Sequence, residues 1–486
     1  MSEQTLFVLL LYLTGAMLGL LFKGRLSIFY ICATSFLWGA LIYVVGLIAI
    51  LSLSAPYTKT TITAFGVSIL GLLLGLNLTR GTWRLNRREW LTLSSLTVVF
   101  VSLTILFDRF NFSTGSADSI FILMMAKVIA TGDLNAWVGG SPKGFGILIP
   151  AIHSSAGFLS IDYLPALQPT IALALLLTFL YFCYRLTAEY IDSFKRKVFL
   201  AILTALVLFS TPIVFHNIFY IHTNLVASVF FLTAVCSFWL GIREDSDPLL
   251  FFGIMSLLGF SLCRTETPLF ALTLLAVLFG QNQLSYRKRI YLGIPYALAM
   301  ITWLWLISRM DANTYSDIIS VEIIYLYIVV FIVFIGAVSF SNMRWVKNYV
   351  LPYLHSWLVV ILALTLCTMY VLKPSEMILS LQNLSFNIVR EGGWGITGLF
   401  VLTYLVFSPS RPPLRNERLF ANTISAFFLL TLVLGYLRTP YRVGWWDSAN
   451  RMLVHVVPIA LVYILLKFCQ GPFWPAPIKQ AATDDL

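Results

Sequence analysis

The 486-residue sequence predicts an all-α polytopic membrane protein, a bundle of about 13–15 transmembrane helices with juxtamembrane helices in its first large extracytoplasmic loop. Three observations carry that expectation. Hydrophobic residues make up 59% of the chain and mean hydropathy is +0.88, more apolar surface than a water-soluble globule can use. The apolar residues gather in long runs, many of them near the roughly 20 residues that cross a hydrocarbon core. The charged residues, 11% of the chain, fall mostly between those runs.

In order, the runs are about 4–22, 28–54, 60–78, 89–107, 166–187, 198–215, 221–241, 248–263, 266–282, 290–308, 321–340, 350–372, 393–408, 421–437 and 450–468. The first has no basic stretch before it and no small-residue cleavage site after it, so it is expected to be a retained helix rather than a signal peptide. With the N-terminus outside, the loops KGR (23–25), RGTWRLNRRE (80–89), RLTAEYIDSFKRK (185–197), YRKR (286–289), RWVK (344–347) and RPPLRNER (411–418) all fall inside. That is the lysine and arginine bias of cytoplasmic loops; the opposite orientation would expose all of them. Segments 108–165, 216–224, 373–392 and 438–449 then lie outside. The expected organisation is additional helices over 1–88, a module over 89–290 containing outer loop 108–165, C-terminal helices over 291–470, and a cytoplasmic, unstructured tail over 471–486.

The formal charge of +11 does not indicate nucleic acid, because the basic residues sit in short inter-span loops. No zinc-finger spacing, basic domain or aromatic-basic surface accompanies them. The six cysteines (32, 183, 236, 263, 367 and 469) lie mostly in apolar runs without CxxC spacing, and read as small hydrophobes.

Outer loop 108–165 carries STGSADSIFILMMAKVIATGDL (113–134). Ile120, Phe121, Leu123, Met124 and Val128 make a helix too short to span and too apolar for water, so it should lie along the outer interface. Asp118 is in its first turn, where Ser116 can cap and backbone N–H groups favour a carboxylate. Lys127 is nine residues on, which at about 100° per residue puts the two on opposite faces. One reading makes them a capping aspartate and a snorkelling lysine. The other makes Asp118 a general base, with a phosphate-binding cation nearby.

Further candidates follow along the chain. Lys143 opens KGFGILIPAIHSSAGFL (143–159), in which Gly144 and Gly146 permit close backbone approach and His153 is either a hydrogen-bonded polar residue or a base. In IVFHNIFYIHTNL (213–225), His216 and His222 are six residues apart. A divalent metal has weak support there, since Asn224 stands where a carboxylate or third imidazole would be wanted. SLCRTETPLF (261–270) sets Arg264 and Glu266 between apolar runs, as an internal ion pair or part of a site. In YLRTPYRVGWWDSANRMLVHVVP (436–458), Arg438, Arg442 and Arg451 stand on the outer side with Asp447. Outer arginines are poorly explained by the inside bias and well explained by a phosphate, which suits the guanidinium fork. Trp445 and Trp446 are interface anchors or flank a lipid or sugar.

Taken together, these motifs resemble the GT-C superfamily of integral-membrane glycosyltransferases that use polyprenyl-phosphate-linked sugars, bacterial envelope enzymes in particular. The resemblance covers about 89–468 and rests on ADSIFILMMAKVIATGDL, RTETPLF and DSANRMLVHVVP. It implies a GT-C-like bundle in which Asp118 is the catalytic base. Arg451, with Arg442, Arg438 or Lys127, would bind the donor phosphate. The expected reaction moves sugar to an acceptor hydroxyl in one inverting displacement at the extracytoplasmic face of the plasma (inner) membrane, with the C-terminus cytoplasmic. The donor would be a polyprenyl-phosphate sugar among membrane lipids, the acceptor a glycan, lipid or protein, and no cofactor is called for. The chain departs from the superfamily where relatives carry a second acid, since HNIFYIHTNL has Asn224, and KGFG lacks their acidic-aromatic-proline pattern. A polymerase or ligase using a lipid-diphosphate donor is the alternative expectation. A lipid-linked glycan flippase fits less well, because the polar residues collect at outer helix ends instead of through the span depth.

Overall fold

The computed structural model describes residues 2–53, 56–82, 84–110, 117–131, 146–159, 161, 163–281, 283–308, 321–407, 417–438 and 441–470. Ser116, Lys143, Gly144 and the 471–486 tail lie outside these residues. Among the described residues the protein is all-α, with short 3-10 and π turns, one isolated bridge between Lys23 and Leu26, and no sheet.

The helices are α1 (Glu3–Leu20), α2 (Ile28–Ser52), α3 (Lys59–Arg80), α4 (Arg87–Phe110), α5 (Ala117–Thr131), α6 (Leu148–Ser154), α7 (Leu167–Thr187), α8 (Phe194–Phe209), α9 (Pro212–Phe219) and α10 (Thr223–Arg243). They continue as α11 (Asp247–Ser261), α12 (Thr267–Phe279), α13 (Tyr286–Ser308), α14 (Val321–Ser339), α15 (Leu354–Leu372), α16 (Pro374–Phe386), α17 (Gly395–Phe407), α18 (Arg418–Arg438), α19 (Ser448–Leu453) and α20 (Val457–Cys469). Ten described helices are long and apolar enough to cross a membrane, or eleven if the bent pair α8 and α9 forms one span. The protein is therefore a multi-pass membrane-type helix bundle.

Several apolar runs form shorter elements than a span. The break between α11 and α12 falls at Leu262–Glu266, and Pro268 lies in the first turn of α12. The run 450–468 divides into α19 and α20, with Pro458 in the first turn of the second. Proline suits a first turn, where its missing N–H has no intrahelical partner to lose. Pro212 likewise separates α8 from α9, which meet at 76°. Segment 373–392, expected as a loop, is helical: α16 runs from Pro374 into a π turn over Asn387–Glu391.

The chain packs as two units. The first comprises Met1–Ala174 and Ile218–Tyr353, the second Leu175–Asn217 and Leu354–Leu486. In the first, α1 lies against α2, α10 against α11, α13 against α14 and α5 against α6. The α1–α2 contact is backbone-close, because a Cβ on Gly39 would fall 1.7 Å from the Leu11 carbonyl oxygen. Small residues at such crossings are how apolar helices associate in lipid. Tyr30 and Ser237 hydroxyls meet at 2.7 Å and the Trp38 ring stacks on Phe252 at 3.8 Å, joining α2 to α10 and α11. In the second unit α8 and α17 pack on α20, and α15 on α18. Much of α3, α4, α14 and α15 is apolar yet exposed, including Val67, Leu72, Val98, Ile332 and Ile361. Hydrocarbon, not water, is the solvent that suits those faces.

Candidate functional site

Polar residues gather in two constellations, one within each unit. In the first unit, α5 buries Ile122, Met125, Ala126 and Ile129, and Asp118 lies on that same side of the helix. Lys127 is on the opposite, exposed face beside Ile120 and Met124. The Asp118 carboxyl is about a quarter exposed, and its Oδ2 lies 3.2 Å from Nε2 of His222.

His222 is the N-cap of α10. Its Nδ1 accepts the Asn224 backbone N–H at 3.2 Å. A nitrogen that accepts carries no proton, so in the neutral ring the proton is on Nε2, which donates to Asp118. The adjoining backbone is held as well. Ser119 Oγ donates to the Ile221 carbonyl at 3.0 Å, and Gln168 Nε2 donates to the His222 carbonyl at 2.9 Å.

From Asn224 the network continues inward. Its side-chain oxygen accepts from Arg264 Nη1 at 3.1 Å, and Arg264 Nε donates to Glu266 Oε1 at 2.5 Å. The Arg264 side chain is only 2% exposed and Glu266 13%. Thr267 fixes the turn, accepting from the Arg264 N–H at 3.2 Å and donating to the Arg264 carbonyl at 2.7 Å. The Leu262 carbonyl accepts from both Ile147 and Leu148 N–H, each at 3.0 Å. This approach needs Gly146, whose φ is +64° and whose Cβ would stand 2.4 Å from the Cys263 carbonyl carbon. The link seats α6 and His153 on the end of α11. His153 is fully buried, its Nδ1 accepts the Leu164 N–H at 3.2 Å, and burial pulls its pKa down to about 3.

The second unit holds Arg451, Arg442, Arg438, Asp447 and His216. Asp447 caps α19: Oδ2 accepts the Asn450 N–H and Oδ1 the Arg442 N–H, both at 2.9 Å. Asn387 donates to the Arg442 carbonyl and accepts the Gly444 N–H, each at 2.7 Å, while Asn383 donates to the Tyr441 carbonyl at 2.9 Å. The Arg442 backbone is thus held on both sides while its side chain stays exposed. Arg451 is half-buried on α19, with its N–H on the Asp447 carbonyl at 3.0 Å. Arg438 is the last residue of α18. The His216 ring stands edge-on to Trp445 and Trp446 at 5.2 and 5.8 Å. Buried Asn450 accepts from the Trp394 indole N–H and donates to the Gly392 carbonyl at 3.0 Å.

Trp394 also lines an apolar cavity of about 410 Å³ with Leu453, Val457, Ala460 and Tyr463. Leu453 is two residues beyond Arg451 on α19, so the guanidinium-bearing helix forms part of the cavity wall. Among the described residues no group of three or more His, Cys, Asp or Glu side chains is placed to hold a metal ion.

Sequence reasoning missed Asn383, Asn387, Trp394 and the pairing of His222 with Asp118. A signal existed for the asparagines: they stand four residues apart, near the end of α16 and at the start of the π turn that follows, ahead of the Gly392–Gly393 pair. Nothing in the sequence announces the His222 contact, which closes over 104 residues. No family model, curated protein or solved structure matches the chain.

Proposed function

We propose that this membrane protein is a glycosyltransferase that moves a sugar from a polyprenyl-phosphate-linked donor to an acceptor hydroxyl at the extracytoplasmic face. The observation that carries the reading is the partly exposed Asp118 carboxylate, held by an imidazole N–H beside the buried Arg264–Glu266 pair. A carboxylate so held is suited to take a proton from an attacking hydroxyl. The hydroxyl oxygen would form the new bond to the anomeric carbon as the bond to the phosphate oxygen breaks. The phosphate leaves with the electron pair and needs no protein acid. One displacement inverts the anomeric carbon.

The second unit supports the lipid side of the same reading. A half-buried guanidinium on a helix that also walls a 410 Å³ apolar cavity suits an amphiphile with an anionic head and a hydrocarbon tail. Arg451 is assigned to the donor phosphate, and the exposed Arg442 to a supporting charge. Arg438 and Lys127 are held as further cation candidates.

The test is turnover by purified protein in lipid nanodiscs, using polyprenyl-phosphate hexoses with lipid and glycan acceptors and scoring hydrolysis to free hexose as well. Asp118→Asn should lower turnover by about 10²–10⁴-fold with donor binding intact, the range for loss of a general base. Arg451→Ala should weaken donor binding. Full turnover in Asp118→Asn, with loss only in the arginine variants, would favour a ligase-type reaction on a lipid diphosphate.

A further inference from the structure

We infer that His222 is the positioning residue for Asp118: its Nε2–H fixes one carboxylate oxygen so that the other faces the acceptor hydroxyl. The inference rests on the reading of Asp118 as the base.

Helix capping alone does not call for a histidine. An N-cap needs one acceptor near the N2 or N3 backbone N–H, and asparagine, aspartate or serine supplies it best. In His222 that task falls to Nδ1, which accepts the Asn224 N–H at 3.2 Å. The atom that distinguishes histidine from those residues is Nε2, and it lies 3.2 Å from Asp118 Oδ2. The cap also decides the tautomer. With Nδ1 engaged as an acceptor, Nε2 carries the proton and points it at the carboxylate.

The ring has little freedom to do otherwise, being 2% exposed with its backbone fixed on both sides. Ser119 ties the residue after Asp118 to the residue before His222, so the first turn of α5 and the start of α10 are stitched at adjacent positions. Arg264 and Glu266 are paired with each other, and Arg264 also reaches Asn224, two residues beyond His222. From the start of α10, the His222 Nε2 approaches the Asp118 carboxylate. Orientation matters because a misplacement of about 1 Å in a reacting group can cost about 10²-fold in rate.

Two substitutions separate the two ring nitrogens. His222→Asn keeps an acceptor at the Nδ1 position and loses the reach to Asp118. His222→Gln places an amide N–H near the Nε2 position and loses the cap. The first readout needs no substrate: nitrogen-15 NMR of histidine-labelled full-length protein in nanodiscs. The chain has five histidines, and the resonance missing in His222→Asn identifies the ring. The expected spectrum shows a protonated Nε2 and a bare Nδ1, with the Nε2–H signal moving in Asp118→Asn.

The second readout is turnover of a polyprenyl-phosphate hexose, with hydrolysis included. His222→Asn should lower kcat by about 10²-fold with donor KM and thermal stability near wild type. His222→Gln should regain much of that kcat while melting lower. A purely structural histidine would give the reverse order. A proton on Nδ1, an Nε2–H signal indifferent to Asp118→Asn, or wild-type kcat in His222→Asn beside an inactive Asp118→Asn would each overturn the inference while leaving the base assignment standing. Wild-type turnover in Asp118→Asn would overturn both.

Discussion

Removing the Glu266 carboxylate tests the buried ion pair at the turn between α11 and α12. Arg264 is 2% exposed, and its side chain bonds Glu266 at 2.5 Å and the neutral Asn224 oxygen at 3.1 Å. Glu266→Ala leaves a buried cation with the amide oxygen as its remaining partner there. Breaking a buried pair from one side typically costs about 3–5 kcal/mol, because the surviving charge keeps its desolvation penalty. Glu266 is 13% exposed, so water can reach the vacated position and the lower end, about 3 kcal/mol, is expected. Arg264→Met removes the charge itself and should cost less. The double variant should be close to Arg264→Met alone, a coupling of about 2–3 kcal/mol in the cycle. The assay is the apparent melting temperature of all four proteins in one detergent at one scan rate. Glu266→Ala should melt several degrees below wild type, with most of the loss recovered in the double variant. A Glu266→Ala protein that melts with wild type, or single losses that simply add, would refute the pairing argument.

Three other outcomes are expected. Gly146→Ala forces an L residue into the left-handed region, at about 1–2 kcal/mol, before counting the contact with Cys263. The 146–148 segment should lift from α11, so the buried Cys263 thiol should be alkylated faster than in wild type; unchanged protection would contradict the docking. His153 is held neutral with its pKa lowered to about 3, against an ordinary value of 6.5. Its contribution is complete above pH 6.5 and is lost as pH falls towards 3, because only the unfolded chain binds the proton, at up to about 1.4 kcal/mol per pH unit. His153→Asn, which keeps an acceptor for Leu164, should flatten that acid-side slope in a pH series of melting temperatures, and an unchanged slope would count against it. Ser425→Phe puts a ring into the 410 Å³ cavity from an exposed wall position. Binding of polyprenyl phosphate should weaken by about tenfold, near 1.4 kcal/mol, without a lower melting temperature; undiminished affinity would place the tail elsewhere.

The opposite placement of Asp118 and Lys127 was legible because helical rotation is a local rule, needing only nine residues of sequence. The membrane class was legible for a similar reason, since span length and hydropathy are properties of contiguous runs. The helix over Pro374–Phe386 was missed although its signals are local: a proline in the first turn, and Met377, Ser380 and Leu384 buried at helical spacing. DSAN likewise carries a readable cap, and Asp447 proves to spend its carboxylate on the Asn450 and Arg442 backbone.

What the sequence by itself determined is therefore what neighbouring residues decide together: an all-α, multi-pass apolar chain and the opposite faces taken by Asp118 and Lys127. The tertiary structure alone decided which polar residues meet. Asp118 with His222, Arg264 with Asn224, and Asn387 with Arg442 close over 104, 40 and 55 residues. Such pairs form because a polar group taken out of water must find a partner, and helix packing determines which partner is within reach.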